Sequence, residues 1–212
     1  MTSVRTAGVF PGQGSQAVGM GRELVEQYPL ARDTFAEADD VLGFGLTAIC
    51  FEGPADELKR TSIAQPALVT ISTACWRILA SRGFTCAAAA GHSLGEYSAL
   101  VAAGALTFPD ALRLVRRRGE LMEAAAARHP GGMAAVLGLS DDEVRALCEA
   151  IAEEHGTLVP ANANAPGQVV VSGESEAIAA VRAAAKARGA KAIPLAVSGP
   201  FHSPLMEEAA AA

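Results

Sequence analysis

The chain has 212 residues, of which 50% are apolar and 19% charged, with a formal net charge of −6. That is the composition of a soluble globular protein with room for one large domain or two small ones. The acidic balance and an aromatic content of 5% argue against nucleic-acid binding.

Val9 and Phe10 close a short apolar run that Pro11 ends, and Gly12-Gln13-Gly14-Ser15-Gln16 reads as a loop. The N-terminus holds no apolar stretch long enough for a signal peptide or a membrane span. A helical pattern runs from Met20 to Tyr28, and Pro29 to Leu58 is helical with breaks near Gly43-Gly45 and Gly53-Pro54. Gln65-Pro66 is expected to begin the next helix, which carries an apolar face from Ala67 to Ser81. Ala87 to Ala90 has helical composition, but the glycine turn that follows favours a buried strand.

After a helix from Ser98 to Ala103, another starts near Pro109, a residue suited to a first turn, and ends about Ala127. At 100° per residue, Leu114, Val115, Leu121 and Met122 share an arc with Ala111. Arg113, Arg116, Arg117 and Glu120 fall opposite, and Arg118 falls within the apolar arc. Beyond Gly131 the pattern becomes strand (Met133 to Leu139), helix, strand (Leu158 to Ala161), strand (Gln168 to Ser172), helix and strand (Ala192 to Val197). Ser140 and Glu143 form a capping box at the first of these helices. The order β-α-β-β-α-β is the ferredoxin-like pattern. Residues 128–197 are therefore expected to form a small subdomain inserted in a larger α/β domain made of residues 1–127 and 198–212.

The four cysteines form no CxxC pair or Cys/His cluster and read as free, buried thiols of a cytoplasmic protein. No metal site is expected. The final residues, Glu207 to Ala212, read as helix with no stop signal, so the protein is expected to continue.

Gly91-His92-Ser93-Leu94-Gly95 is a G-x-S-x-G sequence, which forms a nucleophile elbow where it joins a strand to a helix. The glycines permit the tight turn, and the Leu94 N–H is placed to face an oxyanion. The blander alternative is a glycine-rich turn with an idle serine. Serine needs a base to take its proton. His92 adjoins it in the turn, whereas His129 and His155 sit among turn or surface residues. His202 lies in Ser198-Gly199-Pro200-Phe201-His202-Ser203, a loop after the last strand, where α/β sites gather. Arg118 keeps its charge when buried and so requires acceptors. An internal salt bridge or an outward-reaching stem would satisfy it. So would the carboxylate of an anionic substrate such as a malonyl group.

Taken together, Phe10-Pro11-Gly12-Gln13-Gly14-Ser15-Gln16, Gln65-Pro66-Ala67-Leu68, Gly91 to Glu96, Arg116-Arg117-Arg118-Gly119, Asn162, Asn164, Pro166 to Val170 and Gly199-Pro200-Phe201-His202 carry a resemblance. The sequence resembles the malonyl-CoA:acyl carrier protein transacylases of fatty acid synthesis over essentially its whole length. It is also similar to the acyltransferase domains of polyketide synthases.

The resemblance implies an α/β-hydrolase-like core with the ferredoxin-like insert, and a chain shortened at its C-terminal end. It implies an acyl-enzyme at Ser93, with His202 as general base. Gln13 and Leu94 would supply the oxyanion-hole N–H groups, and Arg118 would hold the malonyl carboxylate. Gln65, His92, Asn162 and Asn164 would line the site, and Phe201 would close the pocket against a methyl branch. The implied reaction is ping-pong transfer of malonyl from CoA to the phosphopantetheine thiol of acyl carrier protein, with no cofactor. The partners would be malonyl-CoA and acyl carrier protein, with neither nucleic acid nor membrane. No aspartate-type partner for His202 is evident, and the resemblance places its acceptor past Ala212. A polyketide-type acyltransferase with another extender unit, or a serine thioesterase or esterase, would use the same elbow. Lys186, Arg188 and Lys191 are candidates for a basic patch facing an acidic carrier.

Overall fold

The computed structural model describes residues 5–212. The chain divides into two compact units, residues 1–120 and 121–212.

The first unit opens with strand β1 (Ala7–Phe10) and helices α1 (Arg22–Gln27), α2 (Pro29–Leu42), α3 (Leu46–Glu52) and α4 (Ala55–Lys59). Helix α5 (Thr61–Ser81) leads to strand β2 (Ala88–Gly91) and helix α6 (Gly95–Ala102). Strand β2 pairs in parallel with β1, Phe10 opposite Gly91. Their connection is helical, as a parallel pairing requires. Phe35, Leu46, Leu58, Val69, Leu94, Leu112 and Val115 fill the core of this unit. Helix α5 is long and apolar enough to cross a membrane by length and composition, but 67% of its apolar window is buried in the protein.

Three expectations change here. Helix α5 begins at Thr61 and runs through Pro66 instead of starting there. Proline has no N–H for the carbonyl four residues earlier, which is why it normally marks a helix start. That carbonyl, on Ser62, accepts instead from Arg116 Nη1 at 3.1 Å. Secondly, the alanine strand β2 is only partly covered, alternating between exposed and half-buried residues. Among the described residues its sheet has two strands. Beside it an apolar groove of about 400 Å³ is lined by Val9, Phe10, Ile71, Trp76, Leu79 and Phe84. Thirdly, helix α7 (Phe108–Arg128) turns its apolar arc differently from the simple wheel. Ala111, Leu112 and Val115 are fully buried, while Leu114 is 49% exposed. The cysteines also divide: Cys50 and Cys148 are buried, Cys75 is exposed and Cys86 lies between.

The division between the units falls within α7. The second unit continues with β3 (Gly131–Leu137), α8 (Asp141–His155), β4 (Leu158–Ala165), β5 (Gln168–Glu174), α9 (Ser175–Ala187) and β6 (Lys191–Pro194). The sheet order is β4-β5-β3-β6, antiparallel throughout. This is the ferredoxin-like arrangement that the sequence pattern predicts. The last strand stops at Pro194, three residues before the predicted end. Helices α8 and α9 cover the sheet through Val144, Leu147, Ile151, Val181 and Ala185, packed with Val136, Val169 and Val171. The predicted capping box is formed: Ser140 Oγ accepts from the Glu143 N–H, and Glu143 accepts from the Ser140 N–H. A 3-10 turn (Pro204–Met206) and helix α10 (Glu207–Ala211) follow the His202 loop.

Candidate active site

Strand β2 ends at Gly91 and α6 begins at Gly95, so Ser93 occupies a strand-to-helix turn. Its φ is +52°, a left-handed value that a residue with a Cβ rarely adopts. The flanking glycines are needed for close approach. A Cβ on Gly91 would fall onto the backbone of Gly95, and one on Gly95 would lie 2.7 Å from the Pro11 carbonyl. The elbow is therefore pressed against the Phe10-Pro11-Gly12 loop. His92 N–H donates to the Phe10 carbonyl at 3.0 Å and extends the β1–β2 pairing by one residue. The His92 ring lies on the Gly12 side, where a Cβ on Gly12 would meet its Nδ1 at 2.7 Å.

Arg118 reaches this elbow from α7. Its Nη2 donates to Ser93 Oγ at 3.1 Å, and its Nη1 donates to Gln65 Oε1 at 2.7 Å. Gln65 is fully buried. Among the described residues no carboxylate pairs directly with Arg118, so the salt-bridge alternative does not account for its position. Burial weakens its hold on its proton, and the nearby Tyr97 and Glu96 side chains oppose that shift. A guanidinium remains charged under such a shift. The result is a fixed cation beside the hydroxyl of a strained serine.

The remaining predicted residues fall into both units. In the first, Gln13 Nε2 donates to Thr61 Oγ1 at 3.2 Å, tying the Gly12–Gln16 loop to the first turn of α5. The Leu94 side chain is buried, and its N–H lies at the start of α6, where the first amides have no acceptor within the helix. In the second unit, His202 is exposed and has a φ of +60°. Ser93 and His202 are the two non-glycine residues with positive φ among those described. Phe201 is 4% exposed and packs with Met122, Ala125, Met133, Ala135, Val170 and Met206, a core position that anchors the loop. Asn162 is half-buried and Asn164 exposed, both on β4. Lys186, Arg188 and Lys191 are exposed, and Arg188 Nη1 is engaged with the Glu143 carbonyl at 3.2 Å. Among the described residues no three His, Cys, Asp or Glu side chains cluster as a metal site would require.

Sequence reasoning missed the groups that carry Arg118. Gly119 lets α7 cross α5 at contact distance, since a Cβ there would stand 2.6 Å from the Ser62 Cα. Arg116, read as part of a polar face, turns to the Ser62 carbonyl. The available signal was Pro66 in a helical segment, which leaves an acceptor that some donor must fill.

The acyl transferase domain model matches residues 8–212. The chain belongs to the acyl transferase domain family. It is 52% identical over 205 residues to the malonyl CoA-acyl carrier protein transacylase of Salmonella typhimurium, covering 95% of this chain and 66% of that protein. It is 50% identical over 207 residues to the transacylase of the same name from Bacillus subtilis, covering 97% and 65%. The chain thus spans slightly less than two thirds of the length of these relatives. Among solved structures it is similar to a malonyl-transacylase in complex with its type II polyketide acyl-carrier protein. That match has 46% identity and a TM-score of 0.94, covering 98% of this chain and 68% of the other. Membership of the acyl transferase family agrees with the recognition made from the motifs. The α/β fold of this family member matches known malonyl-transacylases.

Proposed function

We propose that this acyl transferase moves a malonyl group from CoA to the phosphopantetheine thiol of an acyl carrier protein through a Ser93 acyl-enzyme. The observation that carries the reading is the Arg118 guanidinium hydrogen-bonded to Ser93 Oγ. A cation fixed beside the nucleophile suits an acyl group with a second carboxylate, and a bidentate grip on that carboxylate selects malonyl over acetyl. The relatives named as malonyl transacylases support the same substrate.

In this scheme His202 takes the Ser93 proton as the Oγ attacks the thioester carbonyl carbon. The Gln13 and Leu94 N–H groups receive the oxyanion, each contributing about 2.7–4 kcal/mol at the transition state. The C–S bond breaks, and His202 returns the proton to the CoA thiolate. The carrier thiol then attacks the ester in the reverse sequence, leaving Ser93 protonated. Arg118 turns from Ser93 to the malonyl carboxylate while Gln65 holds its other nitrogen. His92, Asn162 and Asn164 line the site. Phe201 fixes the His202 loop and limits space for a branched acyl group. The scheme needs no cofactor, and we assign it to the cytoplasm. We also assign residues 1–127 and 198–212 to the large domain and 128–197 to the small one. The positive φ of Ser93 and that of His202 each support a reacting role, because strained backbone gathers at reacting residues.

The test is intact-mass measurement after mixing the chain with malonyl-CoA. A malonyl adduct is expected that is absent in Ser93→Ala and is discharged by carrier protein. An adduct that persists in Ser93→Ala, or one discharged only to water, overturns the transacylase reading.

A further inference from the structure

The first turn of α5 is the point on which the elbow's surroundings converge. Thr61 accepts from Gln13, Ser62 from Arg116, and Gln65 from Arg118. Pro66 sits inside this helix and has no N–H to give the Ser62 carbonyl. A buried carbonyl left without a donor is costly, and Ser62 is fully buried. Arg116 fills the gap at 3.1 Å. Its Nε is held by Glu120 at 2.6 Å, and its guanidinium lies 5.1 Å from the centre of the Phe44 ring. The group is thus pinned on three sides. It stands two residues from Arg118 on the same helix, and Ser62 stands three residues from Gln65 on the other. Gly119 removes the Cβ that would force the two helices apart.

We infer that Arg116 is a positioning residue: by donating to the Ser62 carbonyl, to which Pro66 offers no helical N–H, it fixes the register of α7 on α5 and so aims Arg118 at Ser93. The inference rests on the malonyl-clamp reading of Arg118 for its catalytic consequence, but its structural content stands on the hydrogen bonds alone. Arg116 touches neither Ser93 nor substrate and acts only through Gln65 and Arg118.

Pro66 supplies a test that a generic packing role would not pass. Arg116→Met keeps the stem and removes the donor. Pro66→Ala restores the backbone N–H that the helix would offer the Ser62 carbonyl. Glu120→Gln removes the ion pair and leaves the Ser62 bond. In 15N-edited spectra of the chain, Arg116→Met should shift the Arg118 side-chain Nε–H signal and speed its solvent exchange by roughly tenfold. The Arg116→Met, Pro66→Ala double variant should return both to near the wild-type values, and Glu120→Gln should leave them unmoved. Thermal melts confirm that each variant is folded. Unmoved Arg118 signals in Arg116→Met, or no rescue in the double variant, overturn the inference. Ser93 acylation from malonyl-CoA and acetyl-CoA gives a second readout, with the malonyl preference falling in Arg116→Met and recovering with Pro66→Ala. If Arg118→Ala leaves that preference unchanged, the clamp reading fails. If Arg118→Ala lowers it and Arg116→Met does not, the positioning inference alone fails.

Discussion

Ser93 and His202 hold left-handed backbone angles that cost an L-residue about 1–2 kcal/mol each. The strain at Ser93 is imposed by the glycines on either side, which let backbone stack on backbone until the hydroxyl stands out beside Arg118. A charged hydrogen bond contributes about 1.5–3 kcal/mol. Arg118→Ala should therefore lower the ratio of malonyl to acetyl transfer by roughly ten- to a hundredfold, measured as the rates of Ser93 acylation from the two thioesters. An unchanged ratio would overturn the proposed role of Arg118 as the malonyl clamp. Ser93 was legible because its motif is local, with glycine spacing and serine in five consecutive residues. Arg118 was legible as an anomaly, a charge on an apolar arc. Gln65 as its partner and Arg116 as its neighbour's support were not derivable from periodicity, because both depend on how closely two helices cross.

At the scale of elements, the α8 capping box offers a pH test. The Ser140 N–H and hydroxyl, donating to the Glu143 carboxylate, hold its pKa below the ordinary glutamate value, with Arg188 adding a smaller pull. A group depressed in the folded state contributes stability above its unfolded pKa of about 4.3 and loses it as pH falls through the lower folded value. Denaturation curves should show that the gap between wild type and Glu143→Gln is open at neutral pH and closes in acid. A gap that stays constant would sink this account. The box was readable as Ser-Asp-Asp-Glu because capping uses contacts three residues apart. The start of α5 was misread for the opposite reason. A proline ends a helix by local rules, and here a distant arginine satisfies the acceptor that those rules leave open. Leu114 was misplaced because a wheel gives angles but not the direction of the neighbouring helix.

At the scale of the whole molecule, the order of elements was visible in the sequence, including the β-α-β-β-α-β run whose sheet the structure orders β4-β5-β3-β6. Alternating apolar residues and a strong cap make that part self-evident. The first unit was harder, since β1 and β2 have four residues each and one is almost all alanine. Such segments have too little pattern to reveal whether they are covered, and β2 was expected to be more buried than it is. The two buried thiols give a check on core integrity: burial raises Cys50 to about 12 and Cys148 to about 11. Under native conditions at mildly alkaline pH, iodoacetamide should modify Cys75 and Cys86 ahead of both, as peptide mapping would reveal. Early labelling of Cys50 or Cys148 would contradict the packing described.

The short parallel sheet has a further consequence. Val9 is 78% exposed on a strand bordering an apolar groove, and among the described residues β1 pairs with β2 alone. Backbone groups with spare pairing capacity beside an apolar surface are a template for another chain. In concentrated solution the molecule should therefore act as an attractive colloid despite its negative charge. Static light scattering should give a negative osmotic second virial coefficient, and Val9→Lys should drive it upward, whereas equal values for the two proteins would mean that this edge is not adhesive.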